Sequence, residues 1–96
     1  MYEIFTTDAF DRWLSDLADE RAKTKVASRV ARLGFGNTGD VKPVGAGVSE
    51  MRVHHGPGYR VYYKQTEKTI IVILCGGDKS TQDSDIKRAK EMAAKL

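Results

Sequence analysis

Hydrophobic positions in the first third of the chain recur at the spacing of a helix. Two stripes follow this spacing, and they comprise Phe10, Trp13, Leu14 and Leu17, then Ala22, Val26, Val30 and Leu33. Thr6-Thr7-Asp8 supplies side-chain oxygens that cap the first helix, and the second helix is expected over residues 20–33. A short strand at residues 2–5 precedes both. The pattern predicts two antiparallel helices joined around residues 18–21.

From Asp40 onward the hydrophobic period changes to two, which indicates strands. We expect strands at residues 41–44, 48–55, 59–66 and 69–75, and the first belongs at a sheet edge because it contains Pro43. Gly76-Gly77 is expected to end the last strand, and Ser80 or Thr81 to cap a final helix. The order β-α-α-β-β-β-β-α predicts a single α+β domain over residues 1–96.

The segment Gly56-Pro57-Gly58 predicts the register of the central hairpin. A three-residue turn pairs His54 with Arg60, Val53 with Val61 and Arg52 with Tyr62, so that apolar residues face apolar residues throughout. One face of the hairpin then collects the polar side chains, which are Glu50, Arg52, His54, Arg60, Tyr62 and Lys64.

This set of side chains is suited to gripping and cutting RNA at a phosphodiester. Arg52 and Arg60 would hold the charge on a phosphorane, and His54, with an imidazole that ordinarily titrates near pH 6.5, would carry the proton of the 2′-hydroxyl nucleophile. Tyr62 could stack on a base, and Lys64 adds positive charge. The chemistry requires no metal, and His54-His55 should point to opposite faces of a strand, where they cannot chelate one ion. The alternative is an outer sheet face in which Glu50 neutralises its cationic neighbours.

Basic residues outside the hairpin suggest two further anion-binding surfaces. The chain has 16 Lys and Arg against 13 Asp and Glu, an excess that favours nucleic acid or an acidic protein as partner. On the second helix Arg21, Lys25, Arg29 and Arg32 share one side, which is either an RNA-binding surface or a solvated helix face. Lys79 lies in a strand-to-helix turn whose free N–H groups could bind an anion, although Asp78 before it excludes a Walker loop.

The N-terminus does not resemble an export signal, and a single cysteine cannot form an internal disulfide. The N-terminus lacks the basic and apolar regions of an export signal, and the longest apolar run, residues 70–75, is too short to cross a bilayer. We therefore expect a cytoplasmic protein. Cys75, the single cysteine, is expected to be a core residue.

Three stretches in the second half resemble the RelE/ParE toxin superfamily, and within it the HigB-like branch of addiction module killer proteins. They are Glu50-Met51-Arg52, GYRVYY at residues 58–63 and ILCGGDKS at residues 73–80. The resemblance implies two N-terminal helices packed on a curled, mainly antiparallel sheet of four to five strands with a C-terminal helix. In this family's pattern Arg52 and Arg60 match phosphate-binding arginines, and Lys79 lies where a further cation is usual.

The same resemblance implies a function and its partners. It implies the toxin of a type II toxin-antitoxin system, which cuts mRNA in the ribosomal A site without metal or cofactor. The partner would be a separate antitoxin, in this branch usually a helix-turn-helix protein of the HigA type. Several relatives use a C-terminal tyrosine or histidine, and this chain has neither after Tyr63. A non-catalytic inhibitor of DNA gyrase, as on the ParE side of the superfamily, therefore stays the alternative.

Overall fold

A computed structural model describes all 96 residues of the chain. The helices are α1 (Asp8–Asp16), α2 (Glu20–Gly34) and α3 (Gln82–Ala93), and a short 3-10 turn, Lys79–Thr81, precedes α3. The strands are β1 (Glu3–Thr6), β2 (Val41–Gly45), β3 (Val48–Val53), β4 (Tyr59–Glu67) and β5 (Ile70–Asp78). The element order predicted from the sequence is confirmed.

The strands form one five-stranded sheet in the order β1-β5-β4-β3-β2. β1 runs parallel to β5, and every other neighbouring pair is antiparallel. β2, which contains Pro43, lies at an edge as expected. The α+β class with its mainly antiparallel sheet is therefore confirmed.

The sheet separates two apolar cores. α1 and α2 bury their stripes against one face, where Phe10, Val26 and Leu33 pack on residues of β3, β4 and β5. α3 covers the other face, where Ala89 and Ala93 meet a smaller cluster. Helices therefore cover both faces of the central strands, which explains why these strands bury apolar side chains on both sides.

Side-chain caps at the two N-terminal helices fix how they enter the fold. The Thr7 hydroxyl oxygen accepts a hydrogen bond from the Phe10 amide at 3.1 Å, and the same hydroxyl donates to the Leu74 carbonyl at 2.5 Å, so the start of α1 is tied to β5. The Asp19 carboxylate caps α2 by accepting from the amides of Arg21 and Ala22.

The last strand does not end at Gly76-Gly77 as predicted, because β5 continues to Asp78. The two glycines point to opposite faces of the sheet. A Cβ atom on Gly76 would collide with the ring of Trp13 in α1, and one on Gly77 would collide with the carboxylate of Asp85 in α3. Glycine is required here because helices of both layers approach the backbone of β5, and not because the strand breaks.

The hairpin register is shifted by two residues from the predicted one. β3 ends at Val53 and β4 begins at Tyr59, so five residues connect them, and Arg52 pairs with Arg60. Hydrogen bonds from the His55 amide to the Val53 carbonyl and from the Gly58 amide to the His55 carbonyl close the loop. Gly58, with a φ of 81°, adopts the left-handed conformation that this closure needs. A shift of two preserves which residues share a face.

Two smaller expectations can be compared with the structure. Cys75 is buried in the cluster beneath α3, as expected, and burial raises the pKa of its thiol to about 11. None of the helices has both the length and the apolar character needed to traverse a bilayer.

Candidate functional site

Arg52 and Arg60 lie side by side on the face of the sheet that carries α3. They are direct cross-strand partners between β3 and β4. Their side chains are 30% and 14% exposed, respectively, so each guanidinium is partly withdrawn from water. The structure therefore brings together the two arginines that the alternation of side chains had placed on one face.

A buried carboxylate, Glu50, holds both arginines. Its side chain is fully buried and accepts hydrogen bonds from the Tyr62 hydroxyl at 3.0 Å, the Gln82 amide at 2.9 Å and Arg52 Nε at 3.3 Å. Arg60 Nε lies 3.6 Å from Glu50 Oε2. Burial acts to raise the pKa of Glu50, but the hydrogen bonds from Gln82, Tyr62 and Arg52 outweigh it and hold that pKa below its usual value. Glu50 is thus an ionised anchor at the centre of the cluster.

Arg60 is held in place by the chain, but one of its hydrogen-bond donors has no acceptor. Its Nη1 donates to the Gly58 carbonyl at 3.3 Å, whereas its buried Nε makes no hydrogen bond. Glu50 is the one carboxylate within ion-pair distance of either arginine. Two guanidinium groups consequently share a single carboxylate.

Tyr62 does not lie on an accessible surface, contrary to the expectation that it could stack on a base. Its side chain is fully buried beneath α3, and its hydroxyl donates to Glu50. Burial, followed by the hydrogen bond and charge of Glu50, raises the pKa of Tyr62 far above its usual range. Alternation put Tyr62 on the correct face, but it could not show that α3 covers this part of the face.

Lys79 lies close to the arginine pair, whereas Lys64 lies further along β4. Lys64 is half-buried on β4, where its stem approaches Gly47 in the turn between β2 and β3. Lys79 is exposed at the end of β5, and its Cβ lies beside Gly58, as does Nη1 of Arg60. The structure therefore places Lys79 and Arg60 around the same glycine.

The turn that carries Lys79 is less open to anions than the sequence suggested. The Asp78 carboxylate accepts from the amide of Ser80 at 2.8 Å and from the Ser80 hydroxyl at 2.5 Å. These two bonds lower the pKa of Asp78, the hydroxyl having the larger effect. An N–H group expected to be free for an anion is thus occupied by the chain's own carboxylate.

The two histidines lie in the loop between β3 and β4 and are held by different acids. His54 was predicted to face Arg60 in the ladder, but it lies beyond the end of β3, with Nε2 2.5 Å from Asp40 Oδ2. His55 Nε2 lies 2.8 Å from Asp19 Oδ2. The expectation that they point to opposite faces of a strand is wrong, because β3 ends at Val53 and each histidine is bound in the loop to a carboxylate from a different segment.

His54 faces a basic groove on α2 and not the pair formed by Arg52 and Arg60. The groove has a volume of about 420 Å³ and runs between α2 and the end of β3. Its charged or titratable lining residues are Lys25, Arg29, Arg32 and His54. The candidate residues are therefore divided between the α3 face of the sheet and this groove at the end of β3.

Arg29 was predicted to belong to a free cationic surface, and this prediction is wrong. Its guanidinium donates to the backbone carbonyls of Arg52 at 2.6 Å, Thr38 at 3.2 Å and Asp40 at 3.4 Å. Arg29 thus ties α2 to the end of β3 and to the segment before β2, while Arg32 stays exposed. The helical spacing of basic residues does not show which of their side chains bind the backbone of another segment.

Two site residues, Asp40 and Gln82, are absent from the sequence-based set. Asp40 lies 14 residues from His54, and Gln82 lies 32 residues from Glu50. Neither belongs to a motif or to the alternating pattern of its neighbours. Only the folding of the chain brings them to the site.

Comparisons with known proteins place the chain in a family. The family model described as phage-derived protein Gp49-like (DUF891) matches residues 12–95. An uncharacterized protein of Haemophilus influenzae is 53% identical over 94 residues, which cover 98% of this chain and 95% of that relative. A chain in the crystal structure of the intact E. coli RelBE toxin-antitoxin complex matches with a TM-score of 0.67 at 11% identity, covering 81% of this chain and 96% of that one. That structural match shows a RelE-like fold, and the chain belongs to the Gp49-like family of phage-derived proteins.

Proposed function

We propose that this protein is the toxin of a type II toxin-antitoxin module, in the HigB-like branch, and that it inhibits translation by cutting ribosome-bound mRNA. The observation that carries the proposal is the direct pairing of Arg52 with Arg60. The shared fold with a chain of a toxin-antitoxin complex supports the toxin role. A separate antitoxin, of helix-turn-helix HigA type, would be its partner in the resting cell.

The arginine pair favours a bound anion because of its electrostatics. Like charges directly opposite each other on neighbouring strands destabilise a sheet. Glu50 supplies one negative charge for two guanidinium groups, and Arg60 Nε is left without a hydrogen bond. A phosphate group would balance the remaining charge and accept from the guanidinium donors. Features that cost stability in this way are concentrated at functional sites.

The reaction assigned to these residues is cleavage by the neighbouring 2′-hydroxyl of the RNA. His54, which lies beyond the end of β3, accepts the proton of that hydroxyl as its oxygen attacks phosphorus, and Arg52 and Arg60 stabilise the charge of the phosphorane. For both to act on one phosphate, the RNA would pass around the end of β3 from the groove on α2 to the arginine pair, where the charge of Arg52 also acts on Asp40, the partner of His54. The bond from phosphorus to the 5′ oxygen then breaks, and water supplies the proton that this oxygen takes up. Lys79 and Lys64 attract the flanking phosphates, and Arg32 attracts RNA at the groove on α2.

The proposal is tested by incubating purified protein with ribosomes that carry a defined mRNA. We expect cleavage in the A site. Arg60→Ala should reduce the rate about a hundredfold, as is typical when one charge-stabilising donor is lost from a transition state. Arg12→Ala, which removes an exposed arginine on α1, should cut like the wild type. Intact message in the presence of folded wild-type protein that still stops growth would refute the enzymatic function.

A second candidate function is inhibition of DNA gyrase through a protein-protein contact. The burial of Tyr62 favours it, because the arginine face then lacks the exposed aromatic side chain that stacking on a base requires. A supercoiling assay with purified gyrase distinguishes the two. Loss of supercoiling together with intact mRNA would select this candidate.

A further inference from the structure

We propose that Asp40 is the positioning residue of His54, holding the imidazole by Nε2 and leaving Nδ1 as the nitrogen that exchanges a proton with RNA. This inference rests on the proposed function. Nε2 of His54 lies 2.5 Å from Asp40 Oδ2, and Nδ1 makes no hydrogen bond within the chain. An ionised carboxylate can only accept, so the proton of neutral His54 is on Nε2 and the lone pair is on Nδ1.

Asp40 is itself fixed in place by its backbone. Its carbonyl accepts from the Arg52 amide at 2.9 Å and from Arg29 at 3.4 Å. Arg29 also binds the carbonyls of Thr38 and Arg52, on either side of this point. The acid that orients His54 is therefore attached both to α2 and to the strand that carries Arg52.

The Asp40 carboxylate is in a state suited to this role. The hydrogen bond from His54 has the largest effect and lowers its pKa, desolvation has the next largest and raises it, and the charges of Arg52, His54 and Arg29 each lower it by less. Asp40 therefore stays ionised wherever His54 can act as a base. The side chain of His54 is 76% exposed, so without this partner little in the chain restrains its ring.

The hydrogen-bonded pair of His55 and Asp19 provides a matched control, because His55 lies in the same loop as His54. His55 binds Asp19 through the same ring nitrogen at 2.8 Å, but its ring is stacked against Tyr59 and only 21% exposed. Asp19→Asn removes the charge beside His55 and retains an oxygen that can cap α2. Asp40→Ala removes the acceptor beside His54, whereas the backbone carbonyl that binds Arg29 is kept.

The experiment combines kinetics on programmed ribosomes with proton–nitrogen NMR of the imidazole rings. We expect Asp40→Ala to lower kcat about tenfold with KM unchanged, since the lost interaction orients the base and binds no RNA. Asp40→Asn should restore most of kcat because its amide oxygen still accepts from Nε2. Asp19→Asn should cut like the wild type.

The NMR measurement stands without any cleavage activity. His54 should show the single Nε2-protonated tautomer in the wild type and in Asp40→Asn, and an average of both tautomers in Asp40→Ala. Wild-type kcat in Asp40→Ala, or a His54 spectrum that this substitution leaves unchanged, overturns the inference. If the wild type cuts no RNA, the proposed function fails, and the spectra alone then confirm or overturn the bond between Asp40 and His54.

Discussion

Replacing Glu50 by alanine should be among the most damaging single substitutions in this domain. Three hydrogen-bond donors, from Tyr62, Gln82 and Arg52, converge on the Glu50 carboxylate, and Arg60 lies within ion-pair distance of it. Removing one partner of a buried ion pair costs about 3–5 kcal/mol, and each buried neutral donor left without an acceptor costs about 1–3 kcal/mol. Since the arginines keep some access to water, we expect the total to lie near the ion-pair figure.

Glu50→Gln separates the charge from the hydrogen bonds. The amide keeps one acceptor oxygen for Tyr62 or Gln82, but it carries no charge for the arginines and turns an NH₂ group toward donors. We expect it to cost about 1–3 kcal/mol, less than Glu50→Ala. Typical domains have about 5–15 kcal/mol of stability in total, so the alanine variant should be partly unfolded under mild denaturing conditions.

Urea unfolding followed by circular dichroism measures these differences. Glu91→Ala, which removes an exposed carboxylate from α3, is the control and should change the free energy of unfolding by no more than about 0.5 kcal/mol. A loss below about 1 kcal/mol for Glu50→Ala would refute the reasoning. It would mean that the arginines and Gln82 find other partners and that Glu50 is not their anchor.

Three further predictions concern acid and the backbone. The pKa values of Asp19, Asp40 and Glu50 are lowered in the fold, so the stability that these carboxylates contribute is complete above their unfolded pKa near 4 and is lost as the pH falls through the folded pKa. The melting temperature should therefore drop between about pH 5 and pH 2. A melting temperature that stays constant over this range would contradict the prediction. Gly76→Ala should cost about 1–3 kcal/mol in urea unfolding, because the new methyl group meets the Trp13 ring, and an unchanged midpoint would show that the ring moves aside freely. Ala46→Gly should raise the free energy of unfolding by up to about 1 kcal/mol, because Ala46 has a φ of 56°, and a lower free energy of unfolding would contradict the strain.

The fold was largely predictable because its signals are local. Helical stripes and strand alternation depend on neighbours within a few residues, and these gave the element order and the face shared by Arg52 and Arg60. The register was not predictable to the residue. The loop between Val53 and Tyr59 closes through its own hydrogen bonds, and apolar pairing alone cannot distinguish registers that differ by two.

The candidate site was predictable only in part because it depends on contacts between distant segments. The pattern placed Tyr62 on the polar face, but the packing of α3 turned that position into the interior. Arg29 was assigned to a cationic surface, yet it binds three carbonyls from other segments. Nothing in the local sequence of Asp40 or Gln82 indicates their partners, since these lie far away along the chain.

The absence of a side chain at Gly77 lets α3 pack closely over the cluster formed by Arg52, Arg60 and Glu50. Gly77 is the β5 neighbour of Arg60, and the first turns of α3 rest on it through Asp85. Any larger residue there would lift the helix, and with it Gln82, away from Glu50. The hydrogen atom that Gly77 carries in place of a side chain thus sets how closely α3 can pack over Glu50 and the two arginines, although glycine offers them no polar side chain of its own.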